Sequence, residues 1–119
     1  MLLHALGMSA RVWDDVRPLL EPHHEVIALT ALGHRGGAKP VHRPARVGDM
    51  VDDAERSLDE LGLERPHIAG NSIGGWMAIE LARRGRARTA CALSPYRCGL
   101  VAGSTSVGLI RRSPPRPLD

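Results

Sequence analysis

The chain has no phenylalanine, one tyrosine and two tryptophans in 119 residues, so few rings are available for bases to stack on. Lys39 is its only lysine, and the formal net charge of +3 comes from arginine. Those arginines are interleaved with acids such as Asp14, Asp52 and Asp59 and form no basic stripe, so no nucleic-acid partner is expected. Cys91 and Cys98 have neither metal-ligand spacing nor a disulfide framework around them. With H-E-x-x-H also missing, no metal is expected. There is no 18-residue apolar run and no charged start leading into an apolar stretch, so no membrane partner is expected and a cytoplasmic location follows by default.

What the sequence does contain is Gly70-Asn71-Ser72-Ile73-Gly74-Gly75, after the short apolar stretch Pro66-His67-Ile68-Ala69 and before a helical run from Trp76. This is G-x-S-x-G in a strand-turn-helix setting. A serine raised on a tight turn crowds the backbone, so the positions two before and two after it must lack side chains; Gly70 and Gly74 meet that need. A dinucleotide fingerprint would put glycine where Ser72 stands, and a Walker loop would need Lys-Ser or Lys-Thr where Gly75-Trp76 stands. Both nucleotide readings fail, and no cofactor is expected.

Along the chain, Ser9 can cap a helix over 9–20 whose apolar positions are Val12, Trp13, Val16, Leu19 and Leu20, with Pro18 as a kink. A buried strand is predicted over 25–29 and a long loop over 30–46. Val47, Met50, Val51, Ala54, Leu58 and Leu61 share one face of an amphipathic helix that Gly62 can end. A strand over 67–70, a helix over 74–84 and a strand over 88–93 follow. Strict β-α alternation argues for a parallel sheet whose following loops gather at one edge, which brings the turns after Leu3, Leu29, Gly70 and Leu93 together. Trp76 reads as a packing residue, and Asp49, Asp52, Asp53 and Glu55 read as a solvated helix face. Beyond residue 95 no periodicity is sustained, so the chain divides into a core over 1–95 and an irregular tail rich in Gly, Ser, Arg and Pro over 96–119.

The order of these elements resembles the α/β-hydrolase fold family, in its serine-nucleophile branch. Leu2-Leu3-His4-Ala5-Leu6-Gly7 is similar to the family's oxyanion loop, with Ala5 where a glycine is common. Val26-Ile27-Ala28-Leu29 followed by Gly33-His34-Arg35-Gly36 is similar to its next strand and Gly-His-Gly loop, with Thr30 at a frequent aspartate. The resemblance implies a partial doubly wound parallel sheet of about four strands with flanking helices, cut at both ends, since the family is about twice this length. It makes Ser72 the nucleophile and the backbone N–H groups of Leu6 and Ile73 the oxyanion donors, with Gly70 and Gly74 as elbow glycines and His4 and His34 as loop organisers. The implied activity is hydrolysis of a small-molecule acyl substrate at an ester-like carbonyl. Ser72 argues against the dehalogenase branch, whose nucleophile is an aspartate.

In the family an acid and a histidine follow the nucleophile. Here no histidine follows Ser72, and the only later acids are Glu80 and Asp119. His67 begins the strand that leads to Ser72 and so belongs at the wrong end of the sheet, while His23, His24 and His42 read as loop residues. Loss of the histidine from such a triad typically costs about six decades in turnover, about 8 kcal/mol. The alternative expectation is therefore a catalytically inactive remnant or interaction module of the same fold.

Overall fold

The computed structural model describes residues 1–94 and, as backbone, 98–102 and 106–108. Strand β1 (Leu2–Leu3) leads into a 3-10 turn at Ala10–Trp13 and the short helix α1 (Arg17–Leu20). Then come β2 (Ala28–Leu29), α2 (Val47–Glu60), β3 (His67–Asn71), α3 (Ile73–Arg83) and β4 (Thr89–Leu93), with β5 (Cys98–Ala102) and β6 (Ser106–Gly108) last. The sheet order is β2-β1-β3-β4-β5-β6. Its first four strands run parallel, in the alternating β-α order the sequence predicts, whereas β5 and β6 are antiparallel additions. Those two strands fall within the 96–119 stretch read as irregular; the rest of that stretch, Tyr96 included, lies outside the described residues.

Although β1 has only two residues, it sits between β2 and β3, with Leu2 facing Ala28 on one side and Ala69 on the other. Both of its side chains are buried. One core joins Leu3, Ile68 and Ala90 from the sheet to Met50, Val51, Ala54 and Leu58 of α2 and Met77, Ala78 and Leu81 of α3. The two long helices end by the same device. After each last turn a glycine takes positive φ, Gly62 at 67° and Gly85 at 77°. The next N–H then reaches back five residues, Leu63 to the Leu58 carbonyl and Arg86 to the Leu81 carbonyl, both at 2.8 Å. At the start of α2, the Asp49 carboxylate accepts the Arg46 N–H at 3.1 Å, satisfying one of the donors a helix leaves unpaired.

Several expectations from periodicity are corrected. The helix over 9–20 is broken into the 3-10 turn and α1, and Ser9 makes no side-chain capping bond. Proline cannot donate and clashes inside a helix, so the chain places Pro18 in the first turn of a new one, where no donor is needed. The strand over 25–29 shortens to Ala28–Leu29, though the Ile27 carbonyl still accepts the Leu2 N–H at 2.7 Å. Trp76 is 63% exposed instead of packed. The acids of α2 are more than a solvated face. Asp52 and Glu55 hold Arg84 at 2.6 and 2.9 Å, and Asp53 is buried with Arg56 at 2.8 Å. Arg84 also meets Glu80 of α3 at 3.4 Å, so this network ties α2 to the end of α3.

Candidate active site

Ser72 lies between β3 and α3 with φ 53° and ψ −114°, the only positive-φ residue other than glycine among the described residues. That region is costly for any residue with a Cβ, by about 1–3 kcal/mol. The surroundings hold it there. Its N–H donates to the Leu93 carbonyl at 2.8 Å, tying the bend to the end of β4, and its carbonyl accepts the Trp76 N–H at 3.1 Å as α3 begins. The residue is exposed, so the bend presents Ser72 to solvent at the edge of the sheet.

Glycine is required on both sides for contact reasons. A Cβ on Gly70 would collide with the Gly74 carbonyl and lie 2.5 Å from the Gly75 nitrogen. A Cβ on Gly74 would collide with the Leu3 carbonyl and lie 2.7 Å from the His4 carbonyl oxygen. The end of β1 therefore rests directly on the first turn of α3. Gly75, which the sequence pattern did not single out, is also confined, since a Cβ there would meet the Ala92 Cβ and the Gly70 carbonyl at 3.1 Å each. The only signal for it was the doubled glycine of Gly74-Gly75.

Leu6 stands two residues past His4, in a turn closed by the Met8 N–H on the Ala5 carbonyl at 3.1 Å. Gly7, at φ 76°, takes the third position of that turn, which glycine adopts without steric cost. The Leu6 side chain is 69% exposed. Ile73 is the first residue of α3, where helical N–H groups have no partner within the helix. The edge of the sheet thus gathers Leu6, Ser72 and Ile73, with β1 pressed against the turn that carries the serine.

His4 is 1% exposed and both of its ring nitrogens are engaged. Nε2 accepts the Ala31 N–H at 2.9 Å, which leaves the proton on Nδ1, 2.8 Å from the Ala5 carbonyl. Burial lowers its pKa and the nearby His34 adds to that, while the bond to Ala5 opposes it. The rings of His4 and His34 meet edge to face at 4.7 Å. Together with the Ala10 N–H bound to Thr30 Oγ1 at 3.0 Å, these contacts lock the loop after β1 to the loop after β2. His4 is thereby occupied in holding loops, with no free nitrogen to take a proton.

The other titratable groups are placed elsewhere. His67 opens β3, at the opposite end of that strand from Ser72, and pairs with Thr89 Oγ1 at 2.7 Å. His23, His24 and His42 are exposed. Glu80 is bound by Arg83 at 2.7 Å, and that hydrogen bond above all holds its pKa down at about 2. Among the described residues, no histidine or carboxylate hydrogen-bonds Ser72. No described helix is long and apolar enough to cross a membrane.

The chain is similar to several known proteins. A chain from Mycobacterium tuberculosis named epoxide hydrolase EphH is 59% identical over 46 residues, which is 39% of this chain and 22% of that one. A putative non-heme haloperoxidase of Mycobacterium phage D29 is 38% identical over 95 residues, covering 78% of this chain and 34% of the relative. In three dimensions, a crystal structure of a hydrolase from Pseudomonas aeruginosa PA01 superposes with a TM-score of 0.62 at 30% identity, over 68% of this chain and 30% of the other. The chain thus spans about a third or less of the length of these relatives. The alpha/beta hydrolase family model matches residues 1–119. Parallel sheet, structural likeness and family match agree, and the chain belongs to the alpha/beta hydrolase family.

Proposed function

We propose that this chain carries the nucleophile and oxyanion half of a serine hydrolase site acting on an ester-like carbonyl. Ser72 Oγ attacks the carbonyl carbon, and the backbone N–H groups of Leu6 and Ile73 stabilise the resulting oxyanion. The C–O bond to the leaving alcohol then breaks, the alcohol departs with a proton, and water hydrolyses the acyl group from Ser72. The observation that carries this reading is the positive φ of Ser72, held between two glycines that tolerate no Cβ. No general base is assigned to any described residue, because His4 is engaged and no histidine or carboxylate among them hydrogen-bonds Ser72. The relatives named for epoxides and haloperoxidation show that their own substrates differ, so the carbonyl assignment rests on Ser72 and its two amides.

A donor pair without its base retains about three decades of catalysis over water. A fluorophosphonate probe should therefore modify Ser72 well ahead of other exposed serines, mapped by peptide mass spectrometry, and Ser72→Ala should abolish that signal. Uniform slow modification of all serines in a folded chain would refute the proposal. That result would favour the second reading, an inactive remnant or interaction module, to which the missing base at Ser72 gives its support.

A further inference from the structure

Beside the loop that carries Leu6, a hollow of about 550 Å³ is lined by Gly7, Met8, Ser9, Arg11, Val12 and Arg35. Its position follows from the contacts already described. Gly7 and Met8 complete the turn around Leu6, and Arg35 follows His34, whose ring rests on His4. The hollow therefore opens at the same sheet edge as Ser72. Its walls join two kinds of chemistry, the apolar side chains of Met8 and Val12 and the guanidinium groups of Arg11 and Arg35.

No carboxylate among the described residues lines it. Arg11 has only a loose pairing with Asp14, at 4.0 Å and with both side chains largely exposed. Arg35 has no ion-pair partner among the described residues. This contrasts with α2 and α3, where Arg84 and Arg86 are bound by Asp52, Glu55 and Asp59. Arg11 and Arg35 line one recess, the first held only loosely by Asp14 and the second by no ion pair among the described residues, and guanidinium groups suit a planar carboxylate, which they bind with paired N–H donors. A recess of this size admits a small organic ligand.

We propose that this hollow is a carboxylate subsite, so that the acyl substrate attacked at Ser72 carries a second, ionised carboxylate at the end of a short apolar chain. The substrate half of the proposal rests on the reading of Ser72 as nucleophile; the subsite stands on Arg11 and Arg35. The alkyl chain lies on Met8 and Val12, the terminal carboxylate on the two arginines, and the carbonyl under attack beside Leu6. No bond is made or broken in the subsite, which supplies orientation and discrimination against neutral acyl groups.

The test titrates the 119-residue chain with glutarate and with the neutral glutaramide, following the amide resonances of Gly7, Met8 and Arg35. Glutarate should shift them and glutaramide should not. Arg11→Gln and Arg35→Gln should each weaken glutarate binding by roughly tenfold, as loss of one charge-assisted pair implies. Added salt should weaken it too, because both arginines face solvent. Equal response to the two ligands, no response to glutarate, or unchanged affinity in both variants would overturn the subsite. A second arm compares modification of Ser72 by a carboxyalkyl fluorophosphonate and by its alkyl analogue. The anionic probe should react roughly tenfold faster, and Arg35→Gln should erase the difference. Glutarate binding with no modification of Ser72 by either probe would retire the nucleophile and with it the substrate assignment, leaving the anion subsite standing. Modification of Ser72 at equal rates by both probes would retire the substrate assignment alone.

Discussion

Replacing Gly74 by alanine tests whether β1 is pressed against the serine-bearing bend as tightly as the geometry states. The new Cβ would lie 2.6 Å from the Leu3 carbonyl carbon, in a strand hydrogen-bonded on both sides, and 2.7 Å from the carbonyl oxygen of His4, the next residue. A flexible side chain could swing away, but a central strand cannot. Overpacking of this sort costs about 1–3 kcal/mol, and the rigid neighbours argue for the upper end. Alanine's preference for helix over glycine returns about 1 kcal/mol, leaving a net loss of about 2 kcal/mol. For 119 residues the unfolding entropy is about 250 cal/mol/K, so the melting temperature should fall by about 8 °C. The matched control is Gly48→Ala in the first turn of α2, where an added Cβ meets nothing within 4 Å. It should raise the melting temperature by about 2 °C, from a gain of about 0.5 kcal/mol. Calorimetry of the two variants beside the parent decides the matter. If Gly74→Ala melts no lower than Gly48→Ala, the close approach of β1 to the bend is wrong.

Ser72→Gly should relieve the positive φ and stabilise the chain by about 1–3 kcal/mol while abolishing modification by the fluorophosphonate; a variant that melts below the parent would contradict a strained serine. His4 is neutral in the folded state and its pKa is depressed, so the unfolded chain takes up more protons there at mildly acid pH. Its contribution to stability is therefore present above the unfolded value of 6.5 and is lost as pH falls below it. Denaturant titrations at pH 7.5 and 5.5 should show a lower midpoint in acid and a smaller pH difference in His4→Gln; an equal pH difference in that variant would assign the effect elsewhere.

Local patterns in the chain carried much of the fold. The amphipathic face of α2, the glycines that stop both long helices and the alternation around β3 were all readable, because each depends on neighbours a few residues away. Elements whose form depends on distant partners were not readable in this way. The shortening of β2, the division of the 9–20 segment around Pro18 and the sheet position of β5 follow from pairing with other strands or from steric limits that periodicity does not encode. Trp76 shows the same limit from the other side, since an apolar side chain in a helical run is exposed unless another element covers it.

At the candidate site the spacing of Gly70, Ser72 and Gly74 was legible in the chain, because the bend sets Gly70 against the Gly74 carbonyl within one short stretch. The sequence by itself also determined that no histidine follows Ser72. The tertiary structure alone decided that the Leu3 and His4 carbonyls occupy the space a Gly74 side chain would need, and that His4 spends both ring nitrogens on holding loops. It alone brought Arg11 and Arg35, 24 positions apart in the sequence, to one recess. Those outcomes depend on which strands lie side by side, and strand order is settled by burial of the whole sheet rather than by any short stretch of chain.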